Sequence, residues 1–356
     1  MEKIFLMISI GSSRINPNMI ILARESRGFS QKDLADKLGI SPTFLCKIEQ
    51  ESRNVNDDIS NRICDVLNFP ISFFYFEGDA YVPMNLSYRK REHVSQKILQ
   101  PLEAQINLYR LNVEILNEKI ILPKVNLPVI NNISNQEIEG VAKEVRKFWK
   151  IPKGPIQNIT DIVEQNGIII ISFDFLTERV DSRTIFTRRK QPLIVINKTL
   201  LGDRERFSLA YELGHLVLHS SIVPTSDRNV SHEANLFAAA LLMPKSEMKK
   251  EFENGISIPI LADLKRKWKV SMQALLYRSC DLGFVTENQK HYLLKQFNQL
   301  RIRRREPSEL DIPKERPALL RNLITKYKTV QRISVKKIAD MLLISEQDFL
   351  KKYSEN

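Results

Sequence analysis

Residues 207–244 read FSLAYELGHLVLHSSIVPTSDRNVSHEANLFAAALLMP, and the rest of the chain is arranged around them. In the motif HExxH, two histidines one helical turn apart hold a divalent metal, and the glutamate between them acts as general base toward metal-bound water. The five residues here are Tyr211, Glu212, Leu213, Gly214 and His215, so the base and the second histidine are present and a tyrosine takes the first place. Positions 211 and 215 fall about 40° apart around a helix, which keeps the geometry of the pair and changes its ligand chemistry. Residues 231–244 read as a second helix, with Ser231 as N-cap and Pro244 at its end. Ala234, Ala238 and Leu241 form a stripe that lets a neighbouring helix approach closely. Glu233, on the first turn, is placed to supply a third ligand.

The wider pattern, FSLAxELGHLxLH followed by EANxFAAALLMP, resembles the ImmA/IrrE family of metallopeptidase-like proteins, over roughly residues 137–300. That resemblance implies a zinc site on Tyr211, His215 and Glu233 with Glu212 as the catalytic base. A phenol ionises only near about pH 10, whereas imidazole ligates as a neutral base, so Tyr211 is expected to weaken zinc. His219, one turn beyond His215, is a substitute ligand, but pairing it with His215 leaves Leu216 where the base belongs. Two functions follow: a degenerate domain that senses or binds a partner, or an active zinc peptidase that cleaves a repressor or antitoxin protein. A third reading makes His215 a core histidine. Against it, three of the chain's five histidines fall between positions 215 and 232, beside Glu212 and Glu233.

Residues 17–77 show five short helical patterns. Ser30 to Asp33 make a capping-box start, Leu34, Ala35 and Leu38 an apolar face, Gly39 the turn, and Ser41 a new N-cap. A helix over 41–50 follows, turning Leu45 and Ile48 inward. The stretch ARESRGFSQKDLADKLGISPTFLCKIEQ resembles the Cro/repressor-like (XRE) helix-turn-helix family, with Glu51 where that family has glycine. The resemblance implies a double-stranded DNA operator, with Ser41, Pro42, Thr43, Cys46 and Lys47 toward the major groove and Gln31 and Arg53 near phosphates. A helical bundle for protein contacts is the competing reading.

Net charge is +12, with 24 Lys/Arg against 14 Asp/Glu from residue 245 onward, but seven against nine over 17–77. For residues 17–77 that balance implies modest DNA affinity per domain, and therefore use as a possible homodimer. An apolar share of 43% against 27% charged describes a globular protein long enough for several domains. Three scattered cysteines, Cys46, Cys64 and Cys280, fit a reduced, cytoplasmic setting. No run approaches the 18 or so apolar residues of a membrane helix, so no membrane partner is expected. The apolar residues 4–10 lack a cleavage pattern and read as part of a tail over 1–16, or as an early start codon.

Residues 78–136 read as a connector. Its basic cluster Arg89, Lys90 and Arg91 suits a solvated hinge, and Leu102, Ile106, Tyr109, Val113, Leu116 and Ile120 form an a/d seam for intrachain packing or dimerisation. Beyond it, 168–173, 183–187 and 193–196 read as strands, and 137–149, 159–164 and 203–219 as helices. Three more helices, over 258–268, 272–282 and 287–300, lead to Arg301, Arg303, Arg304 and Arg305, a solvated patch or a phosphate contact, and to a proline-punctuated linker. The tail VKKIADMLLISEQDFL aligns with QKDLADKLGISPTFL at an offset of 304, with Leu343 in place of the turn glycine, and suits packing or a partner rather than DNA. The expected fold is mainly α with an α+β core: a five-helix N-terminal domain (17–77), a small mixed sheet packed on the HExxH-like helices (137–300), and a helical C-terminal region (301–356).

Overall fold

The computed structural model describes residues 14–53, 55–81, 89–90, 94–128, 130, 138–220 and 228–354, with the Lys90 side chain left out. Arg91 and the residues between the two site helices, 221–227, lie outside the described residues, as does most of the expected N-terminal tail.

Five helices form the N-terminal domain: α1 (Pro17–Ser26), α2 (Gln31–Leu38), α3 (Pro42–Glu49), α4 (Asp57–Leu67) and α5 (Ile71–Phe74). The α2–α3 turn has its expected cause. Ser30 and Asp33 close a reciprocal capping box, Gly39 takes φ 61°, and the Ser41 side chain accepts the Phe44 N–H. Leu34, Ala35, Leu38, Leu45 and Ile48 are all buried between the helices, each large side chain contributing about 1.5–3 kcal/mol. Arg24 of α1 donates to both Glu49 oxygens at 2.7 and 3.1 Å, which ties α3 to α1 inside the domain.

The segment expected as a connector carries a core helix. In α6 (Gln96–Asn117), Leu102, Ile106, Tyr109, Val113 and Leu116 of the predicted seam are buried within this chain, and so are the neighbours Leu108, Leu111 and Ile115 on other faces. The seam is thus covered internally and is not available as a dimer face. Polar groups of α6 fasten what surrounds it: Arg110 donates to the Asp79 and Ala80 carbonyls, and Asn112 donates to the Leu342 carbonyl and accepts the Tyr353 hydroxyl.

Next come α7 (Ile138–Phe148) and α8 (Ile159–Gln165), then a mixed sheet of order β1-β3-β4-β2. Strand β2 (Ile169–Phe173) runs parallel to β4 (Pro192–Asn197), β3 (Val180–Phe186) antiparallel to β4, and the two-residue β1 (Arg89–Lys90) antiparallel to β3. Alternate side chains face opposite layers. Ile169, Ile171, Leu193 and Val195 join one apolar cluster with α6 and the N-terminal domain, while Ile168, Ile170, Ile194 and Ile196 join another with the site helices. Covered on both faces, the sheet reads as the near-continuous apolar runs seen in sequence.

The site helices are α9 (Gly202–His219) and α10 (Val230–Leu242), followed by α11 (Lys245–Phe252), α12 (Ile258–Trp268), α13 (Met272–Asp281) and α14 (Glu287–Gln299). The N-cap of α10 is Asn229, whose side chain accepts the His232 N–H, rather than the expected Ser231, because an asparagine two residues earlier already satisfies the first free amides. The expected linker is a seated strap. Glu315 pairs with buried Arg206, Lys265 lies between Asp203 and Glu306 at 2.5 and 2.6 Å, and the Ile312 carbonyl occupies the space that a side chain on Gly202 would need. Helices α15 (Leu319–Gln331), α16 (Val335–Met341) and α17 (Glu346–Tyr353) complete the chain. The last two repeat the α2–α3 build, with Ser334 and Ser345 as caps and Leu343 at φ 58° in the turn. Asp348 of α17 pairs with Arg27 of the N-terminal domain at 2.6 Å, so this hairpin packs inward.

Candidate functional site

Helices α9 and α10 meet where their side chains are smallest: a methyl added at Gly214 would lie 3.0 Å from the Phe237 ring and 3.3 Å from Ala234. This close crossing gathers Tyr211, Glu212, His215, His219 and Glu233, four of them 3% exposed or less and Glu233 partly open.

The two histidines touch through their Nδ1 atoms at 3.0 Å, and His219 Nε2 lies 3.0 Å from Glu233 Oε2. Burial, and then the neighbouring His219, push His215 down to about 4, so it is neutral in ordinary buffers. Its Nε2 is buried with no hydrogen-bond partner. Glu233 is gripped by Arg228, whose Nε donates to both oxygens at 2.8 and 3.0 Å and whose Nη2 donates at 2.7 Å. That bond is the main reason the Glu233 carboxyl sits below its usual range.

Tyr211 and Glu212 turn away from this chain of contacts. The Glu212 carboxylate accepts the Ser182 hydroxyl at 2.7 Å and the Thr184 hydroxyl at 2.6 Å, both from β3, and burial raises its proton affinity against those bonds. The Tyr211 ring lies edge-on to His215 at 4.7 Å. Above that ring stands Arg89 of β1, 4.7 Å from the Tyr211 centroid and 4.8 Å from that of Phe207.

A catalytic zinc takes three protein donors and keeps a fourth position open. As arranged here the side chains do not fit one. Both Glu233 oxygens are held by a guanidinium and both His219 nitrogens are engaged, while His215 Nε2 is buried without a partner. Among the described residues no three His, Cys, Asp or Glu side chains form a metal-holding group. Sequence reasoning named Tyr211, Glu212, His215, His219 and Glu233 and missed Ser182, Thr184, Arg228 and Arg89. Sequence marks Arg228 and Arg89 only as cations within a polar run and a basic cluster, which does not tell them from surface charges.

On the N-terminal domain, Ser41, Pro42, Thr43, Lys47 and Arg53 are exposed and Cys46 is half-buried. Arg53 stacks over Phe44 at 5.3 Å. Gln31 is drawn inward, donating to Glu49 at 2.6 Å, which completes the Arg24–Glu49 pair.

Residues 20–74 match the family model described as helix-turn-helix, and residues 163–279 match the one described as the IrrE N-terminal-like domain. The radiation response metalloprotease IrrE of Deinococcus radiodurans is 33% identical over 99 residues, which cover 24% of this chain and 30% of that relative. The chain thus spans under a third of the length of the curated relative it matches. It carries an XRE-type helix-turn-helix domain and an IrrE/ImmA-like domain.

Proposed function

We propose that a chain joining these two domains is a transcriptional regulator of the cytoplasm. Its α3 reads a double-stranded operator, and its peptidase-like domain senses or binds a protein partner without cutting it. The observation that carries this reading is the Arg228 grip on Glu233, reinforced by the burial of Glu212 against Ser182 and Thr184. Glu212 is turned to two β3 hydroxyls and Glu233 is already neutralised by a guanidinium, so both carboxylates are committed to partners within the chain. The exposed Thr43 and Lys47, on a helix capped by Ser41, support the DNA-reading half. The test pairs selection of operators from a random-sequence library with metal analysis of the purified protein. Recovery of no motif removes the regulator.

One observation favours the alternative, a zinc peptidase that cleaves a repressor or antitoxin: the His215 Nε2 is buried and unpaired. Stoichiometric zinc in the natural protein, with partner cleavage abolished by Glu212→Gln, would establish that reading instead.

A further inference from the structure

Between the N-terminal domain and α6, the described residues Arg89 and Lys90 lie against the peptidase-like domain as β1. Arg89, in the edge strand β1, pairs with β3 opposite Ser182, the residue whose hydroxyl holds Glu212. Its guanidinium lies over two rings of α9, Phe207 and Tyr211, donates to the Phe207 carbonyl at 3.3 Å, and reaches Asp181 at 3.5 Å. Asp181 is shared with Arg204, which binds it at 2.6 Å. A planar cation on aromatic faces with a carboxylate at its rim is a recognition site for arginine, and lysine would not reproduce the stack. A strand laid on a sheet edge with a side chain set in an adjacent pocket is also how extended peptides are bound.

We infer that Phe207, Tyr211 and Asp181 form an arginine seat beside the β3 edge, and that Arg89 is its occupant from this chain. An extended, arginine-bearing peptide of a partner protein competes with Arg89 for the seat. The inference rests on the reading of this domain as a partner-binding unit and deepens it. It gives Tyr211 a use that a histidine ligand would not serve, since the ring faces Arg89.

The experiment uses the full chain and a fluorescent octapeptide of residues 86–93, LSYRKREH, followed by anisotropy. Arg89→Ala protein, its seat vacated, is expected to bind the peptide at least tenfold more tightly than the natural protein. A peptide with alanine at the position of Arg89, which keeps the arginine at 91, is expected to lose that binding tenfold. Adding Tyr211→Ala to the Arg89→Ala protein abolishes the gain, whereas adding Tyr211→Phe, which keeps the ring and the fold, preserves it. Equal binding of the two peptides, or no gain in the Arg89→Ala protein, overturns the inference. Operator binding is measured on the same proteins. Loss of peptide binding with the operator still recognised refutes the seat alone, and loss of operator recognition with peptide binding intact refutes only the regulator.

Discussion

Arg228 and Glu233 are joined by three hydrogen bonds of 2.7 to 3.0 Å, five residues apart across the start of α10. The guanidinium supplies, from within the chain, the positive charge that a metal would bring to that carboxylate. A metal must therefore displace charge-assisted bonds worth about 1.5–3 kcal/mol each before it gains a ligand.

The natural protein is accordingly expected to purify with well under one zinc per chain. Tyr211→His should raise the occupancy, and Tyr211→His with Arg228→Ala should raise it further, by roughly ten- to a hundredfold in affinity for the loss of the competing cation. Elemental analysis after dialysis against dilute zinc reads the outcome. Occupancy that does not respond to Arg228→Ala would mean that the ion pair does not guard the site.

Glu212 stands between two roles that stability measurements separate. As a buried carboxylate holding Ser182 and Thr184, it loses a needed donor in Ser182→Ala or Thr184→Ala, and each should cost about 1–3 kcal/mol in urea unfolding. A glutamate free to serve as a base would leave those variants as stable as the parent.

Much of this site was legible, and for local reasons. Helix periodicity, capping serines and the alternation of small residues act within a few positions, so α2, α3, α9 and strands β2 to β4 were placed within a residue or three of where they lie, whereas β1 read as a solvated hinge. What sequence withheld depends on distant partners. The a/d seam of α6 gives no sign of what covers it, and its Arg110 and Asn112 resemble a solvated face until the Asp79 carbonyl and Tyr353 are brought against them. Arg228 and Arg89 are ordinary surface cations by composition, and only the crossing of α9 with α10 and the edge of β3 gives them partners. Leu343 adopts a left-handed turn where glycine is the usual choice. It is buried, so its packing offsets a backbone cost of about 1–2 kcal/mol.

Glu205 provides a pH test of the strap over α9. Burial raises its carboxyl to about 7, and one of its oxygens has no hydrogen-bond partner. Its folded pKa lies above the unfolded value, so the native state holds a proton that the unfolded chain releases. Stability from this group is present in full below about 4.5 and is lost as pH rises through about 7. Glu205→Gln should therefore stabilise the protein at pH 8, have little effect near pH 4.5, and flatten the difference between. Unfolding curves at both pH values that shift equally would remove Glu205 as the source.

The arginines after α14 offer a salt test. All four of these arginines, Arg301, Arg303, Arg304 and Arg305, are exposed, and Arg305 is paired with Asp311 at 2.5 Å. If they meet the phosphate backbone, changing the first three to glutamine should lower the slope of log K against log salt by roughly one per contact and leave the preferred sequence as it was. An unchanged slope would place the patch away from DNA.

Helix α3 gives the sharpest expectation, because the side chains on and around it differ in how firmly the fold already holds them. Thr43 and Lys47 are exposed on α3 behind the Ser41 cap and free to meet base edges, whereas Arg53 lies over the Phe44 ring at the far end of the helix and Gln31 is held by Glu49. Thr43→Ala and Lys47→Ala should weaken the selected operator by about 1–3 kcal/mol and random DNA by much less. Arg53→Ala should weaken both alike and reduce the salt slope by about one. Gln31→Ala is expected to act through Glu49: it removes one donor from a carboxylate that Arg24 still holds, so it should lower thermal stability before it alters sequence preference. Competition titrations with operator and random duplexes, run beside thermal melts of each variant, separate these outcomes. A Thr43→Ala protein that loses operator and random DNA equally would move base reading off α3.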